Sequence, residues 1–133
     1  MIQVTVECPH CRKSLMDEKV KIDGHPSIKV MIEYMKERGT LYLSSLYGSY
    51  NIQSELLVPE GKIAHFFCPY CKAYLETTRI CEKCEAPMVA MKFPRGGIIQ
   101  ICSRRGCKKH LVEFEDLETE IREFYEAYST FVK

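Results

Sequence analysis

The chain has almost no net charge: 19 Lys and Arg against 18 Asp and Glu give +1, so composition provides no overall attraction to nucleic acid or to a membrane surface. No stretch approaches the ~20 apolar residues that a membrane-spanning helix needs. No Pro-, Ser- or Gly-rich linker and no low-complexity segment interrupts the 133 residues. The opening MIQVTVECPHC lacks a basic head, a long apolar run and a small-residue cleavage site, so the sequence predicts no export and a cytoplasmic protein. Catalytic constellations are missing too. There is no serine with a placed histidine and acid, no phosphate-cradling glycine loop and no HExxH, which predicts a protein that is not an enzyme.

Cysteine is what the chain does have. Eight cysteines form four close pairs: CPHC at Cys8 and Cys11, CPYC at Cys68 and Cys71, CEKC at Cys81 and Cys84, and CSRRGC at Cys102 and Cys107. Two cysteines separated by two residues can turn both sulfurs toward one point, and tetrahedral zinc takes two such pairs at Zn–S distances of about 2.3 Å. In a reducing compartment such pairs mean metal or redox chemistry rather than a disulfide framework. The expectation is two Zn²⁺ ions with all eight cysteines as ligands. An all-cysteine zinc site is generally closed and structural, whereas a catalytic one keeps an open position.

CPHC and CPYC are also active-site strings of thioredoxin-fold oxidoreductases. Nine residues separate Cys71 from Cys81, too few for that fold's helix and crossover, and Asp23-Gly24 breaks the run after Cys11. A rubredoxin-like iron held by four thiolates is the nearer alternative. His10, His65 and His110 lie near the pairs, but with eight cysteines present they read as supporting or surface residues, and His25 as a loop residue.

Ile2, Val4 and Val6 alternate with polar residues, the period of a half-buried strand leading into Cys8. Leu15 follows Cys11 as Leu75 follows Cys71, so strand-CPxCxxxL occurs twice, at 2–15 and 63–75. Within the cysteine-free insert 16–62, Ile28, Met31, Ile32 and Met35 share one helical face, Pro26 stands near its start and Gly39 can stop it, which predicts a helix over Ser27–Arg38. Thr40–Val58 then reads as a β-hairpin turning at Gly48-Ser49, with Tyr42, Tyr47 and Tyr50 on a sheet that either has one wet side or binds a partner. At the C-terminus, Leu117, Ile121, Phe124, Tyr128 and Phe131 recur with helical spacing behind Asp116 as N-cap. The predicted fold is α+β, with small antiparallel sheets on zinc knuckles, an inserted helix and hairpin, and a C-terminal amphipathic helix. Its units are 1–75 (insert 16–62), a ribbon 76–114 and a helix 115–133, packed as one compact body.

CEKC, a strand Met88–Phe93, the turn Pro94–Gly97, a strand Ile98–Ile101, CSRRGC and a third strand near Leu111–Phe114 make a knuckle, a hairpin and a knuckle. This is the anatomy of a zinc ribbon. Over about 35 residues it resembles the small C-terminal zinc ribbons of bacterial type IA topoisomerases, at Cys81, Cys84, Gly97, Cys102, Ser103 and Cys107. Where that family commonly has a glycine after the first pair and an aromatic before the second, this chain has Glu85 and Ile99 or Ile101. The resemblance therefore implies the fold and zinc more than single-stranded DNA binding, which uses stacked aromatics.

Spacing leaves the pairing open. One arrangement joins Cys8, Cys11, Cys68 and Cys71, leaving Cys81, Cys84, Cys102 and Cys107 as the second site, so that the two CPxCxxxL units face each other. Another joins Cys68 and Cys71 to Cys81 and Cys84, and a crossed brace is a third. Lys92, Arg95, Arg104, Arg105, Lys108 and Lys109 form a basic run without an acid. Arg104, Arg105, Lys108 and Lys109 are thus candidate nucleic-acid contacts, or cations settled near zinc thiolates. The expected partner is a protein, or a second copy, meeting the C-terminal helix, with nucleic acid as the alternative and no membrane.

Overall fold

The fold is taken from a computed structural model, which describes residues 2–113 (side chains of 2–109). Among them the regular structure is β throughout: β1 Met16–Ile22, β2 His25–Tyr34, β3 Glu37–Leu43, β4 Ile52–Ser54, β5 His65–Phe67, β6 Glu76–Ile80, β7 Pro87–Lys92, β8 Ile98–Cys102 and β9 His110–Glu113. All pairings are antiparallel. One sheet runs β1-β2-β3-β4 with β5 also on β2; the other runs β6-β7-β8-β9.

The expected α+β class is therefore corrected to all-β over the described residues, and the inserted helix is absent. Ser27–Arg38 forms most of β2, a tight turn and the start of β3. Ile28, Val30 and Ile32 are buried in strict alternation, and β-branched side chains suit a pleated face. Met35 and Lys36 have φ of 49° and 67° between the paired Tyr34 and Glu37, the two-residue turn whose twist matches a hairpin. Gly39, expected to stop a helix, lies in β3 opposite Ile32; a Cβ there would stand 3.1 Å from Leu56 Cβ. The C-terminal helix expected over 115–133 lies outside the described residues. The hairpin expected over 40–58 is present as β3 and β4, with Leu43 opposite Ile52.

Two segments cross between the sheets. Residues 2–8 begin beside the end of β3, where Val4 N donates to Ser45 O at 2.8 Å, and finish on β7, where Glu7 bridges Lys92. Residues 63–68 begin beside the end of β8, where Ala64 N donates to Ser103 O at 3.3 Å, and finish on β2 as β5. Each sheet thus completes an edge with chain from the other half. One core follows, containing Val4, Val6, Leu15, Val30, Ile32, Phe66, Leu75, Val89, Met91 and Ile99.

Candidate metal centres

The crossing segments deliver two matching turns. Cys8 N donates to Lys13 O at 3.0 Å and Arg12 N to Cys8 O at 3.0 Å; Cys68 N donates to Ala73 O at 2.9 Å and Lys72 N to Cys68 O at 3.1 Å. Closing each loop takes a left-handed residue, Arg12 at φ 64° and Lys72 at φ 65°. The amides inside aim at sulfur, with His10 N 3.3 Å from Cys8 Sγ and Tyr70 N 3.3 Å from Cys68 Sγ. Leu15 and Leu75 anchor the turns, each fully buried and each donating its amide back to the incoming segment, to Val6 O at 3.0 Å and Phe66 O at 2.9 Å.

These turns bring Cys8, Cys11, Cys68 and Cys71 into one group. Cys8 Sγ lies 3.8 Å from Cys71 Sγ, and Cys11 Sγ lies 3.8 Å from Cys68 Sγ. The second group is Cys81, Cys84, Cys102 and Cys107, with Sγ separations of 3.7 Å (Cys81–Cys107) and 3.3 Å (Cys84–Cys102). The β6–β7 turn and the segment after β8 hold it. Glu85 N donates to Cys81 O at 2.9 Å with Glu85 at φ 64°, and Arg104 N donates to Cys102 Sγ at 3.4 Å. A tetrahedral ion with metal–sulfur bonds of about 2.3 Å needs sulfurs about 3.8 Å apart, so both groups fit one metal ion each. The pairing is the one that sets the CPxCxxxL units face to face, and not either alternative.

Electrostatics sharpens the fit. Burial pushes the Cys8 thiol up to about 12 and also raises Cys68, Cys102 and Cys107. The Lys13 amide draws Cys11 down to about 7. At Cys84 burial is the largest single influence and opposes ionisation, but the Ala86 amide, Arg104 and the Cys102 and Cys107 thiols together bring it down to about 6. Each group thus combines one thiol drawn toward ionisation, Cys11 or Cys84, with two that burial holds toward the protonated form, Cys8 and Cys68 or Cys102 and Cys107, a setting in which metal binding expels protons.

The remaining candidates are placed as follows. His10 Nε2 donates to Tyr74 O at 3.1 Å and His65 Nδ1 to Glu76 Oε1 at 3.1 Å, and neither joins a four-cysteine group. The His110 side chain lies outside those described. The four basic residues offered to nucleic acid all have partners within the fold. Arg104 donates from Nη1 to Gly61 O at 2.7 Å and from Nη2 to Cys84 O at 3.2 Å, tying the second group to the segment before β5. Arg105 donates to Val58 O, Lys108 Nζ sits 5.4 Å from the Tyr50 ring centroid, and Lys109 Nζ is 3.7 Å from Glu82 Oε2. Tyr50, offered as part of a binding face, donates its hydroxyl to Lys108 O at 3.1 Å. The clamping role of Arg104 carries no sequence signal, since a basic residue in a knuckle looks the same whether it faces phosphate or a carbonyl. No helix among the described residues is long and apolar enough to cross a membrane.

In comparisons with known proteins, no family model, no curated protein and no solved structure matches the chain.

Proposed function

We propose that this chain is a non-enzymatic zinc protein, with two Zn(Cys)₄ centres serving structure, acting as an adaptor or small subunit of a larger complex. The observation that carries the reading is the eight cysteines gathered into two four-sulfur cages. Four thiolates complete a tetrahedron, which leaves no position for water or substrate and suits zinc in a structural role. The knuckle, hairpin and knuckle of Cys81–Cys107 supports reading that half as a zinc ribbon.

Exposed apolar surface supports the adaptor role. Leu57 is 81% exposed, Met35 79%, and Tyr70 and Tyr74 about half, beside the first centre. Among the described residues a groove of about 610 Å³, lined by Leu43, Tyr47, Leu56, Ile101 and Arg105, offers a second surface. The amphipathic segment 115–133 belongs to the same proposal as a docking or self-association element.

Native mass spectrometry with elemental analysis tests the metal. Two zinc ions per chain are expected; iron, or one ion beside a free reactive pair, overturns the reading. Truncation before Asp116 tests the docking element, and unchanged oligomeric state and partner recovery would remove it from the proposal.

A further inference from the structure

The two halves of the chain repeat each other well beyond their CPxC turns. β1, β2 and β3 correspond to β6, β7 and β8, and backbone hydrogen bonds coincide between them. Lys29 N donates to Leu15 O at 2.7 Å as Ala90 N does to Leu75 O at 2.9 Å; Ser44 N donates to Asn51 O at 3.1 Å as Cys102 N does to Lys109 O at 3.2 Å. Side chains follow the same register. The buried Ser45 hydroxyl donates to Pro26 O at 2.7 Å, and the buried Ser103 hydroxyl to Pro87 O at 2.6 Å. Gly48 at φ 94° and Gly106 at φ 92° occupy one and the same turn position. Ser-Ser-Leu-Tyr-Gly-Ser at 44–49 therefore stands in register with Cys-Ser-Arg-Arg-Gly-Cys at 102–107.

That register puts Ser44 where the second centre has Cys102, and Ser49 where it has Cys107. Leu46 N donates to Ser44 Oγ at 3.2 Å, just as Arg104 N donates to Cys102 Sγ at 3.4 Å. The CEKC turn corresponds to the β1–β2 turn: Lys21 opposite Pro26 matches Ile80 opposite Pro87, with Ile22–His25 in place of Cys81–Ala86. Asp23 sits in the shorter turn. Its carboxylate accepts from Ser44 Oγ at 2.6 Å, Ser49 Oγ at 2.7 Å and Asn51 Nδ2 at 2.7 Å.

We infer that the chain is a tandem duplication of one unit that held its own four-cysteine metal centre, and that in the first copy this third centre has been replaced by the Asp23 carboxylate and its three donors. In the second copy a cation gathers four thiolates; in the first an anion gathers two hydroxyls and an amide. Both clamp the turn between the first two strands to the segment after the third. Returning sulfur at positions 44 and 49 and two cysteines in the turn restores a soft tetrahedral donor set for Zn²⁺ or Co²⁺. The inference rests on reading the four-cysteine groups as metal centres, and its test separates the two ideas.

The variant replaces Ile22–His25 by Cys-Glu-Lys-Cys-Glu-Ala and adds Ser44→Cys and Ser49→Cys. Natural chain and variant are loaded with Co²⁺, the ions are counted by native mass spectrometry, and cobalt–thiolate absorption is read per chain. Two ions are expected for the natural chain and three for the variant, with absorption about one and a half times as strong. No ion in the natural chain overturns the metal reading itself. Two ions in both chains overturn the duplication inference alone. If that variant does not fold, Ser44→Cys/Ser49→Cys decides in zinc-loaded protein, because Cys102 and Cys107, whose places the new thiols take, have sulfurs within 4.8 Å of each other. One phenylarsine oxide bridging the new pair is expected. Two thiols that alkylate independently and bind no arsenical would overturn the register.

Discussion

The two centres close chain loops of different length, so deleting them one at a time has unequal cost. Sulfur contacts in the first centre join residues 57 and 63 apart, and in the second 18 and 26 apart. Treating each metal as a cross-link that restricts the unfolded chain gives ~4.3 kcal/mol for a loop of about 60 residues and ~3.4 kcal/mol for one of about 22. The first centre should therefore contribute about 0.9 kcal/mol more. Suitable variants are Cys11→Ala/Cys71→Ala and Cys84→Ala/Cys107→Ala, since none of these four side chains is among the fully buried residues. Each is unfolded in urea with its one remaining zinc, verified by native mass spectrometry. Both should lose stability relative to the natural chain, the first by the larger amount, through a shifted midpoint at similar slope. A second-centre variant that is equally or more damaged would refute the loop argument. A variant as stable as the natural chain would refute the structural role of that metal. Removing both ions leaves nothing in reserve, because structural zinc contributes ~10–16 kcal/mol in finger peptides against ~5–15 kcal/mol for a whole domain. A chelator should unfold the chain, with loss of its β circular dichroism.

Leu15→Ala and Leu75→Ala, at matching places behind the two turns, should each lose ~2–5 kcal/mol in urea unfolding, and a loss below ~1 kcal/mol at either would contradict its burial. Ser45→Ala and Ser103→Ala each remove a buried hydroxyl that donates to a proline carbonyl and should cost ~0.5–1.5 kcal/mol by the same measurement, less at Ser103, because Pro87 O still accepts from Ser103 N at 3.2 Å. The hydrogen bond from Ser44, then those from Ser49 and Asn51, hold the Asp23 carboxyl below its usual range. Because the folded value is the lower one, that stabilisation is present above the unfolded carboxylate pKa and is lost as pH falls through the folded value. The stability difference between Asp23→Asn and the natural chain should be full at neutral pH and shrink as pH falls toward the folded carboxyl value, over the range in which the metals stay bound; a difference that does not change with pH would contradict the charge role.

The eight cysteines are legible in the sequence because a CxxC turn is a local device, whereas spacing leaves their pairing open and the fold decides it by setting the repeated CPxCxxxL units face to face. The hairpin after Cys84 is legible for a similar reason: its Gly-Gly turn and apolar strands are adjacent in the chain. Ser27–Arg38 misleads because Ile28 and Ile32, four apart, satisfy a helical face and a strand face equally. Val30, buried between them, belongs only to the strand. The Met35-Lys36 turn carries none of the Asn or Gly that usually marks such a hairpin, so nothing local breaks the helical pattern. The larger repeat escapes notice because cysteine has become serine at 44 and 49 and the CEKC turn has shortened to four residues. Only strand register reveals the equivalence.

The exchange of edge segments between the two halves, around a first centre to which each half gives two sulfurs, also has a consequence for mass action. As separate molecules such halves would form a symmetric dimer, and the shared ion would be captured only at concentrations that bring two chains together. Joined through residues 55–62, they meet intramolecularly at an effective concentration on the order of millimolar, so dilution does not dissociate the site. Covalent union lifts a second constraint. A symmetric dimer must carry identical residues at both equivalent positions, whereas this chain places the Asp23 carboxylate at one of them and four thiols at the other. The two equivalent positions can thus differ in chemistry while the four cysteines that join the halves stay common to both.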